Sequence, residues 1–140
     1  MNEQQPMRGR TTDAAGFTLM EMMIVMVLIV ILAGIGLVSY GNSVTRAKEA
    51  TLKEDLFRLR DAIDQYYADK NKYPSSLESL VEDKYMRAVP VDPFTNSAET
   101  WQTTMSEPEP GNPSAEPGVY DVKSGSEAVA LDGSRYADWD

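Results

Sequence analysis

One acid, Glu21, stands in the otherwise apolar run GFTLMEMMIVMVLIVILAG, which extends from Gly16 to Gly34. Between Phe17 and Val38 the only polar side chains are Thr18 and Glu21. A charged side chain costs about 2.5–3.5 kcal/mol at the centre of a membrane helix and less toward its ends, and a partner usually offsets it. The chemistry open to Glu21 is therefore ion pairing in a low dielectric. The nearest upstream cations are Arg8 and Arg10, on a polar tail. Glu21 thus reads either as a carboxylate that snorkels to the headgroups or as half of an ion pair. In the second case another chain, or processing of this one, supplies the other half. Other chemistry is sparse. The chain has no Cys and no His, which removes thiol nucleophiles, Ser-His-Asp triads and imidazole-based zinc or copper sites. Carboxylates are plentiful, but no pair stands out as general acid and base. The expectation is that the protein is not an enzyme.

The element that must position Glu21 is a helix. At ~1.5 Å per residue, the run from Phe17 to Val38 gives roughly 33 Å, enough to cross a bilayer core. Secretory signal cores are shorter and end at small residues before a cleavage site. Here Ser39, Tyr40 and Gly41 lead into a second helical pattern, so the segment reads as retained. Arg8 and Arg10 before it and Arg46, Lys48 and Lys53 after it leave the orientation open. Ala33, Gly34, Gly36, Ser39 and Gly41 fit either the ordinary tolerance of glycine in membranes or close helix–helix contact.

Beyond the run, Val44, Ala47, Thr51, Leu52, Leu56, Leu59, Ile63, Tyr66 and Tyr67 recur at three- and four-residue steps. They form one apolar stripe on a helix from about Ser39 to Lys70, with charges such as Glu54 and Arg58 between them. Packing of this stripe against the C-terminal half of the chain is preferred over a coiled coil, because only a few heptads are available. Tyr73-Pro74 breaks the pattern. The two helical parts join without a stop and predict one helix of ~54 residues, roughly 80 Å long. A short helix capped by Ser75 or Ser76 follows. Thr100 to Met105 and Gly118 to Val122 read as strands, and Ala128 to Leu131 as a third. Ser106 to Pro117, rich in proline, is a loop. The fold class is α+β: a long N-terminal helix packed on a small antiparallel β-sheet.

Gly16-Phe17-Thr18-Leu19-Met20-Glu21, after a polar leader and before an apolar stretch, resembles the type IV prepilin signature. The resemblance implies cleavage between Gly16 and Phe17 by a prepilin peptidase, and N-methylation of the new amine of Phe17. It further implies that Glu21 pairs with the amine of a neighbouring subunit during fibre assembly. At ~4 Å and an effective dielectric near 20 such a pair attracts by about 4 kcal/mol, enough to offset burial of the acid. The leader then stays cytoplasmic and the rest faces the periplasm, a single pass of the inner membrane. Because residues 1–16 carry Glu3, Arg8, Arg10 and Asp13, cleavage leaves the net charge at −9.

The order Tyr73-Pro74, Pro90-Val91-Asp92-Pro93-Phe94 and Trp139 is similar to the major pseudopilins of type II secretion systems. The implied organisation is a leader at 1–16, a transmembrane and polymerisation helix at 17–40, an amphipathic helix at 41–72 and a periplasmic globular part at 73–140. The implied function is a structural subunit that polymerises through its N-terminal helix into a periplasmic pseudopilus. Its partners are copies of itself, the prepilin peptidase, minor pseudopilins and an inner-membrane assembly platform. The same family often binds calcium in its last loop. The residues offered here are Ser126, Asp132, Ser134 and Asp138, although the family's Asp-Gly after Ser-x-Gly does not occur in Ser124-Gly125-Ser126-Glu127.

Two alternatives remain at this level. One is a type IV pilin of a surface fibre, although such pilins commonly close a loop with a disulfide. The other is a monomeric membrane-anchored binding module using the acidic stretch from Glu107 to Glu116. A net charge of −9 opposes nucleic acid as a partner and docking on anionic lipid.

Overall fold

The apolar run and the amphipathic stripe fall on one 52-residue helix, α1, Leu19–Lys70. This is a computed structural model describing residues 16–108, 110–111 and 116–140. The leader up to residue 15, with Arg8 and Arg10, lies outside the described residues, as does Pro113 in the proline-rich loop. The chain divides into two compact units, Met1–Ser39 and Tyr40–Asp140.

In the first unit, every described residue is exposed, including Leu19, Ile24, Leu28 and Leu32. It contains the one stretch among the described residues that is long and apolar enough to cross a membrane.

The second unit owes its core to the stripe. Leu52, Leu56, Leu59, Ala62, Ile63 and Tyr66 are buried, at the three- and four-residue steps that keep side chains on one helix face. Each fully buried Leu or Ile contributes about 1.5–3 kcal/mol relative to exposure. Val44, Ala47 and Thr51, also expected on the stripe, are exposed. Val44 and Ala47 lie more than a turn before the first core residue, Leu52, and Thr51 beside it donates its hydroxyl to the Ala47 carbonyl at 3.1 Å. Helix α1 ends at Asn71, whose φ of 53° is the left-handed conformation that asparagine tolerates. The Asn71 amide donates to the Tyr67 carbonyl at 2.8 Å.

Helix α2, Leu77–Glu82, is capped by Ser76, which accepts from the Ser79 amide at 3.4 Å. Its Leu77 and Leu80 join the core. Strands β1, Gln102–Met105, and β2, Val119–Lys123, pair antiparallel with Thr103 opposite Val122. Val119 and Val122 point inward, while β1 is exposed along its length.

The third strand expected at Ala128–Leu131 does not form. Only an isolated bridge, Val129 to Arg135, occurs there. The Ala130 amide donates to the Ser134 carbonyl at 2.7 Å, closing the segment on itself. Gly133, with φ of 88°, makes that reversal possible. A short 3-10 turn, Tyr136–Asp138, follows and buries Tyr136.

Candidate functional site

The first candidate site is the start of α1. Gly16 and Phe17 are exposed and precede the helix. Thr18 caps it: the Glu21 amide donates to Thr18 Oγ1 at 3.1 Å, and the Met22 amide to the Thr18 carbonyl at 3.1 Å. Thr-x-x-Glu is the spacing of a capping box, in which a hydroxyl and an acid serve the free amides of the first turn. Glu21 is the acid of that turn, where the helix dipole favours negative charge. It is exposed, and among the described residues no cation pairs with it. The geometry leaves a carboxylate at the head of an uncovered apolar helix, one turn from the Gly16–Phe17 bond. Sequence reading had not assigned Thr18 its capping role, although the Thr-x-x-Glu spacing carries the signal.

The second candidate is the last loop. Ser126 stands apart from the other three residues offered for calcium. It is buried in a tight turn, its amide donating to Ser124 Oγ at 3.1 Å and its hydroxyl accepting from the Ala128 amide at 3.3 Å. Asp132, Ser134 and Asp138 do share one cavity of about 520 Å³, together with Lys53, Arg60 and Trp139. Within it Asp132 Oδ1 accepts from both the Ser134 amide, at 2.9 Å, and the Ser134 hydroxyl, at 2.5 Å. Those two bonds, led by the hydroxyl, hold the Asp132 carboxyl below the usual carboxylate range. Trp139 Nε1 in turn donates to Ser134 Oγ at 2.7 Å.

Calcium seeks six to eight oxygens. Here the best-placed carboxylate oxygen already has two donors, and an ammonium, Lys53, lies in the same cavity. Among the described residues no three Asp or Glu are gathered as metal ligands. The four residues therefore fit calcium poorly.

What joins this loop to the rest is a set of charged contacts that sequence reading left on the helix surface. Glu49 Oε1 accepts from the Leu131 amide at 2.9 Å and from the Tyr136 hydroxyl at 3.0 Å. Burial, and then Glu49, push the Tyr136 phenol up to about 12. Arg60 donates through Nε to Asp121 Oδ1 at 2.8 Å, and through one terminal nitrogen to the carbonyls of Val122, at 3.0 Å, and Trp139, at 3.2 Å.

The Pro90-Val91-Asp92-Pro93-Phe94 turn has a comparable anchor. Asp92 is fully buried; one oxygen accepts from the Phe94 amide at 2.9 Å, the other from the Ser124 hydroxyl at 2.5 Å. Phe94 stacks on Tyr136 with ring centroids 3.9 Å apart. Gly125 sits so close to the Thr100 carbonyl that a Cβ there would collide with it.

Comparison with known proteins gives a consistent picture. Residues 12–37 match the family model of the prokaryotic N-terminal methylation motif. The chain is similar to the type II secretion system core protein G of Escherichia coli K12, 33% identical over 104 residues, covering 62% of this chain and 72% of that protein. It is similar to the protein of the same name from Pseudomonas aeruginosa, 34% identical over 98 residues, covering 59% and 69%. A fimbrial protein, EcpC of Eikenella corrodens, is 35% identical over 81 residues, covering 54% and 53%. No solved structure matches.

Proposed function

The chain belongs to the family of type II secretion system core protein G, and from that membership we propose how its two units share one task. It is a pilin-like structural subunit that polymerises through its N-terminal helix into the pseudopilus of a type II secretion system. The observation that carries this reading is the capped start of α1: an exposed acid one turn into a helix whose apolar first half no described residue covers. An anchor of this kind is satisfied by lipid before assembly and by other subunits after it.

The finer steps are proposals of the same reading. A prepilin peptidase cuts the Gly16–Phe17 bond and methylates the amine so made. Glu21 then pairs with the Phe17 amine of the neighbouring subunit, and this pair sets the register of the incoming helix. The leader lies in the cytoplasm and Tyr40–Asp140 in the periplasm, where minor pseudopilins and an inner-membrane platform meet the growing fibre. The subunit itself catalyses nothing. Its work is to be added and to occupy space.

N-terminal sequencing with intact mass of protein from its native membrane tests the first step. N-methyl-Phe17 is the expected start, and an intact Met1 terminus refutes it. Glu21→Gln tests the second. It keeps size and shape but removes the charge, and losing one member of a buried pair costs about 3–5 kcal/mol. The expected result is normal processing with fibre and secretion lost.

The similarity to fimbrial protein EcpC favours one second reading, a surface fibre. A deletion strain separates the two: loss of secretion supports the pseudopilus, and loss of surface fibres with secretion intact supports the pilus.

A further inference from the structure

The segment Ser124–Asp140 has almost no regular structure beyond one short 3-10 turn, yet it buries Ser124, Ser126, Ala130 and Tyr136. The source of its order is visible on α1. Glu49, Lys53 and Arg60 follow one another along the same side of the helix, beside the core stripe. Each meets the segment. Glu49 takes the Leu131 amide and the Tyr136 hydroxyl with a single carboxylate oxygen, at 2.9 and 3.0 Å. The Lys53 ammonium stands 4.8 Å from the centre of the Trp139 ring. Arg60 reaches the Trp139 carbonyl at 3.2 Å while holding Asp121 and the Val122 carbonyl. From β2, Lys123 pairs with Asp140 at 2.9 Å.

A loop metal does two things: it gathers backbone carbonyls and it neutralises nearby acids. Both are already done here by side chains. Arg60 gathers carbonyls of β2 and of the C-terminal end. Lys53, Arg60 and Lys123 set three positive charges against the acids Asp121, Asp132, Asp138 and Asp140. Meanwhile Ser134 occupies Asp132, and Ser126 faces its own turn.

We propose that Ser124–Asp140 is closed onto α1 by this charged row and holds its fold without calcium. A divalent cation entering the cavity would meet Lys53 and Arg60 and would have to displace Ser134 from Asp132. The inference concerns the globular unit and stands whether or not the fibre assignment does.

The test uses the full-length protein in detergent. Thermal unfolding is followed by Trp fluorescence in excess EDTA, in millimolar calcium and in millimolar magnesium. The three midpoints are expected to agree within about 1 °C. A midpoint several degrees lower in EDTA, restored by calcium but not by magnesium, overturns the proposal. In parallel, Arg60→Gln and Glu49→Gln are digested with a nonspecific protease and the fragments identified by mass. Each variant is expected to lose its C-terminal segment faster than wild type and to unfold at least ~4 °C lower, equally with and without calcium. Wild-type resistance in both variants overturns the proposal, as does calcium restoring resistance to either. Should Arg60→Gln fail to fold, Glu49→Gln and the wild-type EDTA comparison still decide it.

Discussion

Two buried aspartates of the globular unit are held differently. Asp92 is fully buried but satisfied, with donors on both oxygens. Asp55 is buried on α1; burial pushes its carboxyl above the usual range, Arg58 opposing the shift and Glu54 and Asp92 adding to it. A raised acid favours the neutral form in the folded state. Its contribution is therefore present at low pH and lost as pH rises through the folded value. At neutral pH the Asp55 charge opposes folding, and Asp55→Asn is expected to raise the thermal midpoint there and to do little at pH 4. Asp92 depends instead on its donors. Ser124→Ala leaves one buried Asp92 oxygen without its hydroxyl donor, at a cost of about 1–3 kcal/mol, readable as a lower midpoint in urea. At the other end of the chain, Thr18→Ala removes the helix cap, worth about 1 kcal/mol. The change should fray the first turn and slow assembly while leaving the globular unit's melting unchanged.

At the level of elements, Leu59→Ala should cost about 2–5 kcal/mol, because Leu59, like Leu52 and Ile63 of the same stripe, has no exposed surface. Circular dichroism during denaturation checks this. That stripe was readable in advance: Leu52, Leu56, Leu59, Ile63 and Tyr66 follow the helical period, and burial follows the period. Ala62 and Asp55 were not, since a small residue and an acid carry little hydropathic signal. The short helix after Tyr73-Pro74 and both strands were also legible, within a residue or two of their ends. Ala128–Leu131 misled for a physical reason. Its residues suit a strand, but a strand needs a neighbour's backbone, and here the Leu131 amide goes to Glu49 and the Ala130 amide to Ser134. The same blindness hid Glu49 and Arg60. Their partners lie far along the chain, from 61 to 87 residues away, and local spacing reads such residues as solvated charges. The motif at Gly16–Glu21 was legible because its signal is local.

For the whole molecule, charge sets the limits of stability. Asp83 is held below the usual carboxylate range chiefly by its bond to Lys70, Asp132 by Ser134 and Asp140 by Lys123. Depressed acids lend stability that is present above their ordinary value and lost as pH falls through the lowered ones, so acid unfolding should begin below about pH 4. At the alkaline end the raised Tyr136 phenol acts in reverse: its contribution is intact below its ordinary value of 10 and vanishes toward about 12. A spectrophotometric tyrosine titration should show one phenol ionising last, together with unfolding. The division of the chain at Ser39 and Tyr40 has a consequence of another kind. Among the described residues the thirteen that form the core, from Leu52 to Tyr136, all lie in the second unit, so a substitution at a described position of the first unit removes none of that core's side chains. The anchor is in that sense a detachable address: on the proposed function, grafted ahead of an unrelated globular domain, it should still be cut and delivered.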